Sequence, residues 1–147
     1  MLTGLNHITI AVSDVSNSFN FYVNTLGFSP RARWSGGAYL SLGELWLCLS
    51  VDIPMPAQDY THYAFSIPSH KFDYFVEQLK SAGLVEWKIN KSEGRSVYFL
   101  DPDGHKLEVH DGDLDSRLRE CMIQPYENMI FFDSLGKKIP NVPVVGI

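Results

Sequence analysis

Two stretches of this chain begin alike. "NHITIAV" (residues 6–12) and "YTHYAFSI" (60–67) each alternate apolar with polar residues, as a half-buried strand does, and each places a histidine near its start, His7 and His62. The segments after them are alike too. In "DVSNSFNFYVNTLGF", Phe19, Tyr22, Val23 and Leu26 are spaced for one face of a helix, Asp14 or Ser16 caps its start and Gly27 ends it. Strands are predicted near 28–34, 37–42 and 45–51, with a tight turn at Gly43-Glu44. After the proline-broken linker 52–59, the order recurs: a helix near 69–82 with Phe72, Phe75, Val76 and Leu79 on one face, then strands near 84–88, 96–101 and 105–110. "DPDG" (101–104) is the turn before the last strand, because proline presets φ and glycine tolerates φ > 0.

A β-α-β-β-β unit used twice constrains the fold strongly. Its late hairpins require antiparallel pairs, so the class is α+β, with mixed, curved sheets and helices on one face, rather than a parallel α/β fold. The modules span about 4–51 and 60–110, and two of them could curve around a shared cavity. A short helix is expected at 113–122, and the tail beyond Phe132 is expected to be loosely structured.

Composition narrows the function. With 147 residues, 45% of them hydrophobic, the chain can bury a real core. A net charge of −5 argues against a general nucleic-acid binder, though not against a local anion pocket. There is no apolar run long enough for a membrane span and no signal-peptide pattern at the start. Cys48 and Cys121 suit a reducing compartment better than a disulfide framework, so a cytoplasmic location is expected.

If the halves are repeats, His7 and His62 are equivalent. Glu108, on the last strand, has Leu107 and Val109 on its other face, and a carboxylate between apolar neighbours is normally paired or metal-bound. Two imidazoles and one carboxylate suit Mn²⁺, Zn²⁺, Fe²⁺ or Co²⁺ and leave positions open for chemistry. A strand histidine is also often merely hydrogen-bonded. The same symmetry sets Cys48 opposite Glu108, as a zinc-favouring thiolate or an ordinary buried thiol. "WKINKSEGRSVYF" (87–99) gathers Lys88, Lys91 and Arg95 with Ser92 and Ser96, a set that suits a phosphate-like anion or a solvated loop.

"GLNHITIAVSDV", "GAYLSLGELWLCLS", "DYTHYAFSI", "WKINKSEGRSVYFLDPDGHKLEVHDGDLDSRL" and "PYENMIFFD" together resemble the fosfomycin-resistance glutathione transferases of the vicinal oxygen chelate (glyoxalase/bleomycin-resistance) superfamily. The resemblance covers about residues 1–133 and leaves 134–147 as an extra tail. It implies a homodimer with shared active sites, in which His7 of one subunit joins His62 and Glu108 of the other at Mn²⁺. It implies addition of glutathione to the epoxide of fosfomycin. Thr9 then lies near the epoxide oxygen, and Lys88, Ser92, Tyr98 and Arg117 hold the phosphonate. Asn90, Ser92, Glu93, Gly94 and Ser96 form a K⁺ loop, Trp34 and Tyr39 line the thiol channel with Tyr39 assisting thiol ionisation, and Trp46 walls the pocket. His105, His110, His70 and Cys121 match no ligand of that family.

Rival functions keep the fold. Bacillithiol or cysteine could replace glutathione. Epoxide hydrolysis would need a carboxylate base beside the epoxide, where this chain has Gly36-Gly37 and only Glu44 in the nearby turn. A drug-sequestering module would lack the metal triad, and a glyoxalase would use a fourth carboxylate where Cys48 stands.

Overall fold

The expected order of elements is found in a computed structural model, which describes residues 1–140. In the first module, β1 (His7–Val12) leads into α1 (Val15–Asn20) and then β2 (Ser29–Trp34), β3 (Gly37–Leu42) and β4 (Leu45–Val51). In the second, β5 (Tyr63–Ser66) precedes α2 (Ser69–Ser81), β6 (Glu86–Lys88), β7 (Ser96–Leu100) and β8 (Lys106–His110), with α3 (Leu114–Ile123) after it. The sheets have the same topology, β1-β4-β3-β2 and β5-β8-β7-β6. In each, the first strand runs parallel to the last and the other pairs are antiparallel. The register confirms the internal equivalence: Thr9, two residues after His7, pairs with Cys48, and Ala64, two residues after His62, pairs with Glu108.

Asp14, rather than Ser16, caps α1, accepting from the Asn17 N–H at 2.9 Å. The helix then widens into a π turn, Phe21–Thr25, closed by Leu26 N–H donating to the Phe21 carbonyl at 3.0 Å. Gly27, with φ +87°, ends it. The period-3.6 pattern predicts a helix here and carries no sign of the wider turn.

One core serves both modules. Ile10, Val12, Leu40, Leu47 and Leu49 of the first sheet share it with Phe72, Leu79, Val97, Phe99, Leu107 and Val109 of the second module. Rings bridge the halves, Phe28 meeting Phe65 edge-on at 5.4 Å. The "DPDG" turn clasps them further. Asp103 accepts from the Ser13 N–H at 3.2 Å and the Ser13 hydroxyl at 2.5 Å, Asp101 accepts from the Tyr22 hydroxyl at 2.8 Å, and His105 donates to the Ala11 carbonyl at 2.7 Å. His105 is therefore a joint between modules.

Because side chains alternate along a strand, the residues opposite the core form a second face on each sheet. His7, Thr9, Tyr39 and Trp46 lie there exposed, and β2 is exposed along its length. Beyond Phe132 the chain is more ordered than its composition suggests: Phe132 bridges Lys138 across a turn at Asp133–Gly136. The remainder of the tail, 141–147, lies outside the described residues. Among the described residues no helix is long and apolar enough to cross a membrane.

Candidate active site

The expected site residues fall into two groups, one on each sheet. On the first, an aromatic row crosses the strands in spatial order. His7 on β1 meets Trp46 on β4 at 4.5 Å, Trp46 meets Tyr39 on β3 at 5.3 Å, and Tyr39 meets Trp34 on β2 at 4.7 Å. Thr9, Cys48 and Tyr39 occupy one line of register across β1, β4 and β3. Cys48 is buried, as is Cys121, and both are free thiols.

On the second sheet, His62, just ahead of β5, faces Glu108 on β8, with Nε2 3.0 Å from Oε1. Around them stand Trp87, Tyr98 and Tyr60, whose rings lie 5.4, 6.1 and 4.9 Å from the imidazole. Lys88 contacts the Tyr60 hydroxyl and lies 4.8 Å from the centre of the Tyr98 ring. The Tyr60 hydroxyl raises the Lys88 pKa, so this cation stays charged. Burial raises the Tyr98 phenol, with the Glu108 charge adding to it. Arg117 reaches from α3 to donate to the Ser92 hydroxyl at 3.2 Å and to Glu93 Oε2 at 3.2 Å. In the loop between β6 and β7, the Asn90 amide donates to the Gly94 carbonyl at 2.8 Å and accepts from the Ser92 N–H at 3.1 Å. Ser96 turns its hydroxyl to Glu108.

Arg95 is a correction. The sequence groups it with Lys88 as charge for an anion, yet its guanidinium is spent elsewhere. It pairs with Asp111 and Asp73 at 3.0 Å each, donates to the Ser69 carbonyl at 2.6 Å and covers the Phe72 ring. Four partners fix it to α2 and the end of β8, so it braces the loop.

His7 does not join His62 and Glu108. Among the described residues of one chain, no three His, Cys, Asp or Glu side chains converge as a metal site would need. Both histidines are nonetheless held through Nδ1. His7 Nδ1 lies 2.7 Å from Asn6 Oδ1, and His62 Nδ1 lies 2.7 Å from the Tyr60 carbonyl. Each oxygen accepts, so in the neutral ring Nδ1 carries the proton and Nε2 is the nitrogen left for a metal, the arrangement of metal-ligating histidines. His62 Nε2 lies 3.0 Å from Glu108 Oε1, and an imidazole nitrogen beside a carboxylate oxygen fits a divalent metal.

Sequence reasoning passed over Tyr60, Trp87 and His110. Tyr60 carried a signal, because it lies two residues before His62 and so shares its face. Trp87 carried none, since its ring reaches His62 only through the pairing of four strands.

The profile of the Glyoxalase/Bleomycin resistance protein/Dioxygenase superfamily matches residues 4–109. Glutathione transferase FosA of Serratia marcescens is 51% identical over 136 residues, covering 89% of this chain and 96% of that protein. Metallothiol transferase FosB of Shouchella clausii is 36% identical over 146 residues, covering 94% and 100%. Among solved structures, the fosfomycin resistance protein FosX of Listeria monocytogenes, complexed with Mn(II) and sulfate ion, is similar with a TM-score of 0.73 and 32% identity, over 82% of this chain and 98% of that one.

Proposed function

This chain belongs to the glyoxalase/bleomycin resistance protein/dioxygenase superfamily, and on that premise we propose that it is a metal-dependent glutathione transferase that opens the epoxide of fosfomycin. The observation that carries the metal site is the meeting of His62 Nε2 with Glu108 Oε1 at 3.0 Å. The choice of thiol rests on the 51% identity to a glutathione transferase, against 36% to the metallothiol transferase.

Glu108 and His62 of one subunit, with His7 of the partner subunit, would hold Mn²⁺. Bound there, the metal would supply Lewis acidity that stabilises the developing alkoxide. Lys88, Arg117, Ser92 and Tyr98 bind the phosphonate, two cations and two hydroxyls against a dianion. The Thr9 hydroxyl hydrogen-bonds the epoxide oxygen. Tyr39 assists ionisation of the glutathione thiol by donating a hydrogen bond to the sulfur as its proton leaves to water, while Trp34 and Trp46 line its approach. The sulfur then attacks an epoxide carbon, the C–S bond forms as the C–O bond breaks, and the freed oxygen takes up a proton. The loop Asn90, Ser92, Glu93, Gly94 and Ser96 takes K⁺, a role supported by the Ser92 and Gly94 carbonyls, which converge on the Asn90 amide nitrogen at 3.4 and 2.8 Å.

The exposed aromatic row on the first sheet supports the homodimer, because a contiguous apolar face of this kind is normally covered by a partner. Free thiols and a glutathione co-substrate agree with a cytoplasmic enzyme. Hydrolysis is disfavoured by backbone packing. A Cβ at Gly37 would lie 2.3 Å from the Leu49 carbonyl oxygen and 2.9 Å from the Trp34 ring, so no carboxylate can stand there, and Glu44 is exposed in the turn.

The test is mass analysis of products from purified protein with fosfomycin, Mn²⁺, K⁺ and glutathione, beside a His62→Ala variant. A glutathione–fosfomycin adduct lost in the variant is expected. A diol alone, or an adduct formed only with bacillithiol or cysteine, overturns the assignment.

A further inference from the structure

Glu108 has two carboxylate oxygens, and only one faces His62. The other, Oε2, accepts from the Ser96 hydroxyl at 2.6 Å. That same hydroxyl oxygen lies 2.6 Å from His110 Nδ1. Ser96 has one proton to give, and the charged carboxylate is the stronger acceptor. His110 Nδ1 is therefore the donor to Ser96, and the chain runs from His110 through Ser96 to Glu108. Ser96 and His110 sit directly opposite each other on β7 and β8, so the register of the hairpin delivers the pair.

The imidazole of His110 is clamped as well as bonded. A Cβ at Gly112 would lie 2.5 Å from its Nε2, and one at Gly94 2.7 Å from its Cε1. Gly94 also has φ +74°, where other residues are strained. Two glycines thus make a slot for this ring, and the ring fills it with its Nδ1 edge toward Ser96. The same point beside Gly112 is approached by Ser116 Oγ and Glu93 Oε1, which lie 3.1 and 3.2 Å from the built Cβ. His110 lies part-buried between Glu108 and the loop residue Glu93, which anchors Arg117 of α3.

We propose that His110 and Ser96 are positioning residues for the metal site: by occupying Oε2 of Glu108 they present Oε1 alone to the metal. This rests on Glu108 being a metal ligand. Freed from Ser96, the carboxylate could rotate about its last bond and lose its alignment with His62. The charge-assisted bond from Ser96 holds it at a fixed angle, and the slot holds Ser96 in turn.

The experiment is Mn²⁺ binding to the full chain, tracked by the electron paramagnetic resonance signal of free Mn²⁺, for wild type, Ser96→Ala, His110→Ala and His110→Asn. Titrations are run with K⁺ and again with K⁺ replaced by tetramethylammonium. Ser96→Ala and His110→Ala are expected to weaken binding by about 10- to 100-fold in both salts, as outer-shell partners commonly do. The asparagine amide can reproduce the Nδ1–H donor, so His110→Asn is expected to stay within about threefold of wild type. Thermal melts of the metal-free proteins establish that the variants are folded, and Ser96→Ala removes only one oxygen. Folded alanine variants with wild-type affinity overturn the proposal. So does an effect confined to K⁺ buffers, which would place Ser96 in the monovalent-cation loop instead. A wild-type protein that binds no Mn²⁺ would instead overturn the metal site itself.

Discussion

Mixing a His7→Ala chain with a His62→Ala chain asks whether the two half-sites meet across a dimer. Each variant alone is expected to be inactive, because every site in either homodimer lacks one imidazole. A mixed dimer differs. One of its sites takes His7 from the His62→Ala chain and the intact His62 and Glu108 from the other, while its second site lacks both histidines. Random re-pairing of equal amounts makes about half the dimers mixed, each with one of two sites restored, so activity should return to about one quarter of wild type. The expectation rests on the structure, in which no three metal-ligating side chains converge among the described residues of one chain and the His7 face is exposed. The assay co-refolds the variants, counts mixed dimers by native mass spectrometry and measures adduct formation. Confirmed mixed dimers with no more activity than the parents would refute the shared site.

Two further outcomes test the local physics. Tyr22→Phe leaves Oδ2 of the buried Asp101 without its donor, which should cost about 2 kcal/mol at neutral pH and lower the melting temperature by about 6 °C for a chain of this length. Burial raises the Asp101 pKa above 3.8, so its contribution to stability is fully present below that value and is lost as pH rises through the folded pKa. Losing the Tyr22 bond raises that pKa further, so the variant's deficit should open as pH climbs and close toward pH 3.8, and a pH-independent deficit would contradict this. Lys88→Met should raise the KM for fosfomycin about tenfold, with a smaller change in kcat. Because the wild-type ammonium titrates above the ordinary lysine value, its share of fosfomycin binding should persist through pH 9 in steady-state assays, and a fall below that pH traced to Lys88 would count against it.

Much of this molecule is legible in local patterns. The alternation of Leu107, Glu108 and Val109 fixes which faces meet core and site, and the turns at Gly43 and Gly104 fall where φ must be positive. The equivalence of Cys48 and Glu108 is also readable, since it depends only on the repeat. What stays hidden depends on packing between distant segments. Arg95 looks like an anion ligand until Asp73 and Asp111 are brought to it, and His110 looks idle until the hairpin sets it against Ser96. The π turn leaves no trace because it changes which carbonyl accepts, not which residues are apolar.

The uncovered face of the first sheet has a consequence for gene dosage. On the proposed shared site, a chain that shows His7, Trp46, Tyr39 and Trp34 to solvent would be half of two catalytic centres and the whole of none. Mass action then makes the working enzyme grow with the square of the chain concentration when chains are scarce. A cell carrying one weakly transcribed copy would gain little protection, and doubling the copy number would give about four times the active sites. Resistance built on this fold should therefore switch on steeply with expression, and flatten once most chains have found a second.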